Sequence, residues 1–139
     1  MRTRSFKDFI FFSIDPIDTK HIYIEFISEK ANIIDLNTNE EAQELLDELF
    51  KLLDPIILLC NLEMRSFIIT VDMKNANILR YKINILKYII EKLHEHIKTD
   101  RKDLTEKCYV KNADIVLKSI YFIVSPFIDK TFMDKIHIE

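Results

Sequence analysis

A chain of 139 residues without a single glycine must make every tight turn and helix end from residues that carry a Cβ. Glycine is the usual occupant of positive-φ positions, so Asn, Asp and Lys are expected to take them here. Three clusters supply such residues: "EKAN" from Glu29, "MKNAN" from Met73 and "VKNAD" from Val110. The same absence closes off a class of chemistry. P-loops and dinucleotide fingerprints use glycine to bring backbone against phosphate, and neither can be built from this sequence.

Between these turn clusters the apolar pattern switches period. "FKDFIFFSI" (Phe6 to Ile14) and "HIYIEFI" (His21 to Ile27) are β-rich runs joined by the Pro/Asp turn "DPIDTK". In the second run Ile22, Ile24 and Phe26 share one face, and Tyr23 and Glu25 share the other. The pair predicts an antiparallel hairpin at a sheet edge, with "NIIDL" extending the second strand. A helix follows in "NTNEEAQELLDELFKLL", where Thr38 and Glu41 have capping-box spacing. Asp54 and Pro55 read as the cap and first residue of a second, short helix.

"SFIITVD" (Ser66 to Asp72) is a β-branched run that suits an interior strand covered on both faces. Leu79, Ile83, Leu86, Ile90, Leu93 and Ile97 then recur at helical spacing. Ile85, Tyr88 and Ile89 widen that stripe, which favours a helix packed on a sheet over a coiled coil. After the charged stretch "KTDRKDLTEK" come a strand in "CYVKNA", a helix in "DIVLKSIYFIV" capped by Asn112 or Asp114, and a strand in "KIHIE". Strands alternating with helices predict an α/β fold. Its sheet is mixed and mainly parallel, with an N-terminal antiparallel hairpin and helices packed on it.

Length and composition fit one globular domain spanning 1–139, with 48% hydrophobic and 31% charged residues. A net charge of −3, with both signs interspersed, argues against nucleic acid as a partner. Cys60 and Cys108 lie far apart without CxxC spacing and read as thiols of a reducing compartment. The opening "MRTRSFKDFIFFSID" has too short an apolar run for a signal peptide, and no stretch reaches the ~20 apolar residues of a membrane span. A soluble, cytoplasmic protein is expected.

Candidate chemistry is sparse. "HEH" (His94 to His96) places two imidazoles two residues apart, pointing in different directions, with His21 and His137 elsewhere in the sequence. The cluster reads as a surface feature of a helix C-terminus. Asp72 ends a central strand, where α/β proteins carry functional groups, but Asp is also a routine turn-former there. No local spacing supports Cys108 as a nucleophile. Thr99 to Asp103 reads as a solvated charge run, and Tyr121, Phe122 and Phe127 as core rather than a stacking platform. No catalytic residue, metal-ligand set or cofactor is assigned, no ligand-binding residue is identified, and an enzyme is not expected.

From Ser66 onward the sequence resembles the CRAL-TRIO family of lipid-exchange domains and its shorter BCH relatives. The pieces are a strand ending in Asp72 ("FIITVDMKNAN"), a long helix, and a strand ending at Asn112-Ala113 ("CYVKNAD"). A helix then closes on Pro126-Phe127, followed by Thr131 and a Lys135-Ile136 strand ("YFIVSPFIDKTFMDKIHIE"). The sequence has Asp114 where the family has Pro, lacks the Gly after the strand-end Asp, and stops where the family adds a lid helix and a Gly-Gly strand. The resemblance implies a non-enzymatic module binding a lipid or other apolar ligand, or a protein-interaction scaffold of the same fold. Its partners would then be such a ligand, a protein partner or a second copy in a homodimer, with membrane contact at most peripheral. STAS domains share the outline and stand as the alternative, but their "DSxG"-like turn is here "DMKNAN", without hydroxyl or glycine.

Overall fold

The alternation of Ile22 and Ile24 with Tyr23 and Glu25 sets the register of a sheet whose two faces differ. The computed structural model describes residues 2–6, 10–29, 36–76, 82–98 and 104–139; of residues 2–6 and Phe127 only the backbone is described. Along the chain run β1 (Arg2–Phe6), β2 (Ile10–Ser13), β3 (His21–Ile27), α1 (Asn39–Glu63), β4 (Ser66–Asp72) and α2 (Ile83–Ile97). There follow β5 (Thr105–Lys111), α3 (Ile115–Val124), a 3-10 turn (Ser125–Phe127), α4 (Lys130–Met133) and β6 (Ile136–Ile138).

All six strands form one sheet, in the same order as in the chain. β1–β2 and β2–β3 are antiparallel; β3–β4, β4–β5 and β5–β6 are parallel. This is the expected mixed, mainly parallel sheet. The N-terminal part has one strand more than expected, because Phe6 to Ile14 is not a single run. Phe6 pairs with Ile10, so the run divides between β1 and β2. β2 and β3 form the expected hairpin, but β1 is the edge. Most of "NIIDL" and "EKAN" lies outside the described residues.

Parallel neighbours joined by right-handed crossovers, each advancing one strand in the same direction, place their helices on one face. Packing agrees. Ile10, Phe12, Ile22, Ile24 and Phe67 form the main core with Leu53 and Cys60 of α1 and Ile97 of α2. Phe12, Ile22 and Phe67 are wholly buried, each worth about 1.5–3 kcal/mol of transfer free energy. A smaller cluster of Leu36, Ala42 and Ile85, with Leu45, Tyr88 and Ile89 around it, joins α1 to α2.

α1 begins as its sequence directs. The Glu41 amide donates to Thr38 Oγ1 (3.2 Å), and the Asn37 amide donates to Glu41 Oε1 (3.3 Å). It does not stop at Asp54-Pro55. Leu46, Leu53 and Cys60 recur every seven residues on one buried face, in phase on both sides of the proline. That continuous burial outweighs the backbone hydrogen bond lost at Pro55. The helix ends at Met64, which takes a left-handed conformation (φ 57°) in the absence of glycine.

α2 buries Ile85, His94 and Ile97, while Ile83 is exposed and Leu79 lies outside the described residues. The widening residues Ile85, Tyr88 and Ile89, facing α1, therefore anchor the helix more than the start of the expected stripe does. β4 is interior between β3 and β5, but only Phe67 is buried along it. Its other residues are half-buried, so among the described residues it is less covered than expected for so β-branched a run.

Pro55→Ala restores a backbone donor inside α1 and should raise unfolding stability by up to about 3 kcal/mol in urea titration. Unchanged or reduced stability would mean that the ring's packing matters more than the missing bond.

Candidate functional site

One-sided helix packing leaves the other sheet face without a helix among the described residues, and in-register pairing orders the side chains there into rows. Ser13, Tyr23, Ile68 and Lys107 lie side by side across β2 to β5. Phe11, Glu25, Thr70, Tyr109 and His137 form a parallel row across β2 to β6. Phe11, Tyr23, Ile68, Thr70 and Tyr109 are half-buried, and the Tyr109 and His137 rings stack at 5.5 Å. A hollow of about 280 Å³ lies between Phe11, Ser13, Tyr23, Ile24, Glu25 and Thr70.

A polar network closes the end of this face where the parallel strands begin. Asp18, in the β2–β3 turn, accepts a hydrogen bond from Tyr23 Oη (2.5 Å) and lies 2.8 Å from His21 Nδ1. These two bonds, with the Lys20 amide, hold its carboxyl well below the usual carboxylate range. The other ring nitrogen of His21 contacts Glu106, the extra residue of a bulge between Thr105 and Lys107. The bond to Asp18, and after it that to Glu106, pushes the His21 pKa up against the opposing effect of burial. Arg65 Nη1 donates to the carbonyls of Asp18 (3.4 Å) and His21 (3.2 Å), fixing the turn to the end of α1. The two carboxylates sit on opposite edges of the imidazole, so the set converges on no common point. Among the described residues, no group of three His, Cys, Asp or Glu could hold a metal ion.

The opposite end is fastened by turn chemistry. Asp72 Oδ1 accepts from Asn112 Nδ2 (2.8 Å) and from the Lys74 amide (3.0 Å), and both bonds lower its pKa. Asn75 and Asn112 adopt φ of 59° and 58°, as expected where glycine is missing. The Asp114 side chain accepts from the Leu117 amide (2.8 Å) and so caps α3. Thr131 donates to Asp129 from both amide (2.8 Å) and hydroxyl (2.5 Å). Asp72 and Asn112 thus clasp the ends of β4 and β5 together.

Other candidates are dispersed. His94 and His96 diverge as expected, but neither is a free surface group. His94 is buried with its ring 4.5 Å from Phe132. His96 stacks on Phe50 at 3.7 Å and lies 2.6 Å from Asp54. Cys108 faces the core, where burial pushes its thiol up to about 11. Phe122 is 81% exposed rather than core, because α3 is apolar on its outer side too, with Ile115 and Ile123 also exposed. Thr99 to Asp103 and the Phe127 side chain lie outside the described residues. The His21 network was not foreseen: Glu106 is far away in sequence, and only the bulge turns it toward the ring.

Fold and face define an α/β module with a helical side and an aromatic-lined side that carries no helix among the described residues. The model of the CRAL/TRIO domain matches residues 13–139, and the chain belongs to that family. Among solved structures it is similar to "Crystal structure of Sfh5", with 14% identity and a TM-score of 0.56 over 94% of this chain and 46% of that one. This is a likeness of fold, and the chain spans under half the length of that structure. No curated protein matches. CRAL/TRIO proteins are typically lipid-binding and non-catalytic, and the STAS-like alternative gives way to this family. Among the described residues, no helix is long and apolar enough to cross a membrane.

The sign of the His21 shift fixes a pH dependence. A raised folded pKa gives stability that is fully present below the unfolded value of 6.5 and lost as pH rises through the folded one. Stability in urea should fall as pH rises above 6.5, and His21→Gln should flatten that slope. An equal slope in the variant would assign the effect elsewhere. At the clasp, Asn112→Val should cost about 1–2 kcal/mol more than Asn112→Gly, because β-branching penalises the left-handed conformation.

Proposed function

We propose that this chain is a reduced, BCH-like form of the CRAL/TRIO module, one domain over 1–139 and cytoplasmic, that binds a lipid or other apolar ligand on its open sheet face without catalysis. The observation that carries this reading is the pair of side-chain rows on that face, where aromatic and aliphatic groups stay half-buried with no helix over them among the described residues. An alkyl chain lying along the rows would remove that surface from water at about 0.8 kcal/mol per buried CH₂. The hollow beside Phe11 and Tyr23, about 280 Å³, falls just below the ~300–1,000 Å³ of enclosed small-molecule sites. It would hold part of a lipid, with the remainder lying across Ile68, Thr70 and Tyr109.

Thr70 is central to the face and half-buried, so Thr70→Arg would lay a cation across the rows while leaving the core intact. Native mass spectrometry with solvent extraction should find a stoichiometric lipid on the wild-type chain and at least a tenfold lower occupancy on Thr70→Arg. No bound lipid, and no uptake from vesicles of mixed neutral and anionic phospholipid, would sink the reading. Exposed Phe122 on α3 favours a second reading, a protein-interaction scaffold, which predicts a lipid-free protein.

A further inference from the structure

β6 is the last strand of the sheet, and its outer edge is unpaired among the described residues. Open edges are templates for another strand. On the inner side the Cys108 amide donates to the Lys135 carbonyl (2.9 Å), and the Glu139 amide donates to the Val110 carbonyl (2.9 Å). Backbone groups alternate along a strand, so 135, 137 and 139 face β5 while Ile136 and Ile138 present their amides and carbonyls outward.

Two outward residues separated by one are what an antiparallel pair of identical strands requires. With a two-fold axis at His137, each Ile136 meets the second copy's Ile138 in a hydrogen-bonded pair, and the two His137 residues form the non-hydrogen-bonded pair between them. This register also sets Lys135 opposite Glu139 of the second copy at both ends, and shifting it in either direction removes both charge pairs.

Ile136 and Ile138 are in register with Cys108 and Val110 and so lie on the helical side of the sheet. α3 belongs to the crossover that links β5 to this edge. It carries Ile115 (80% exposed), Phe122 (81%) and Ile123 (54%). We propose that β6 is a homodimer edge: two copies join antiparallel through Ile136–Ile138, merging two six-stranded sheets into one. Charge complementarity selects the occupant as a second copy, since "KIHIE" matches its own reverse in charge and in apolar position.

Sedimentation velocity on the 139-residue chain should show a species of twice the chain mass. His137→Cys places two thiols on the axis at a Cα separation of about 4.5 Å, within disulfide reach, so mild oxidation should give a covalent dimer. Cys60 and Cys108 are buried and do not compete. Glu139→Lys should weaken the dimer roughly tenfold, and the Lys135→Glu/Glu139→Lys double variant should restore it. A monomer at every concentration overturns the proposal. So does a dimer that His137→Cys fails to cross-link, or one that is indifferent to Glu139→Lys.

Discussion

The handedness of three crossovers determines most of what this molecule can do. Each parallel connection, from β3 through α1 to β4, from β4 through α2 to β5, and from β5 through α3 to β6, steps one strand in the same direction. Their shared hand leaves the helices no choice of side. Ile22, Ile24 and Phe67 are therefore sealed beneath α1, while Tyr23, Ile68 and Thr70, one residue along the same strands, are not. A doubly wound order would have buried both sets and left no extended face for a ligand.

Much of the architecture was legible because local signals and tertiary demand agree. Thr38 and Glu41 mark the start of α1, "SFIITVD" matches β4, and the missing glycines reappear as left-handed Asn75 and Asn112. Disagreement arose where packing overrode a local signal. Pro55 breaks helices in isolation, yet it sits inside one here because Leu53 and Cys60 stay in phase across it. Phe122 reads as core by residue type, but it is exposed on α3, whose buried residue is Val124.

The candidate site was less legible than the fold, for a physical reason. The family-like residues Asp72, Asn112 and Thr131, with Asp114 beside them, hold turns, caps and strand ends together, so they mark the frame and not the face. The face is made of residues whose only sequence signal is alternation, such as Tyr23 against Ile22. Its polar end depends on a bulge at Glu106, which depends on the pairing of β4 with β5 and has no local trace. His21 could be read as a histidine near a turn, but its partners could not.

A sheet whose spatial order repeats its chain order also has a kinetic character. Apart from the turn-linked strands at its start, each strand pairs with the next strand in the chain, the shortest closure open to parallel neighbours. Assembly can then proceed by accretion from the N-terminal meander, each βα unit docking on a template already in place. β6, three residues long, is held among the described residues by β5 alone, and is the element that the rest can best form without.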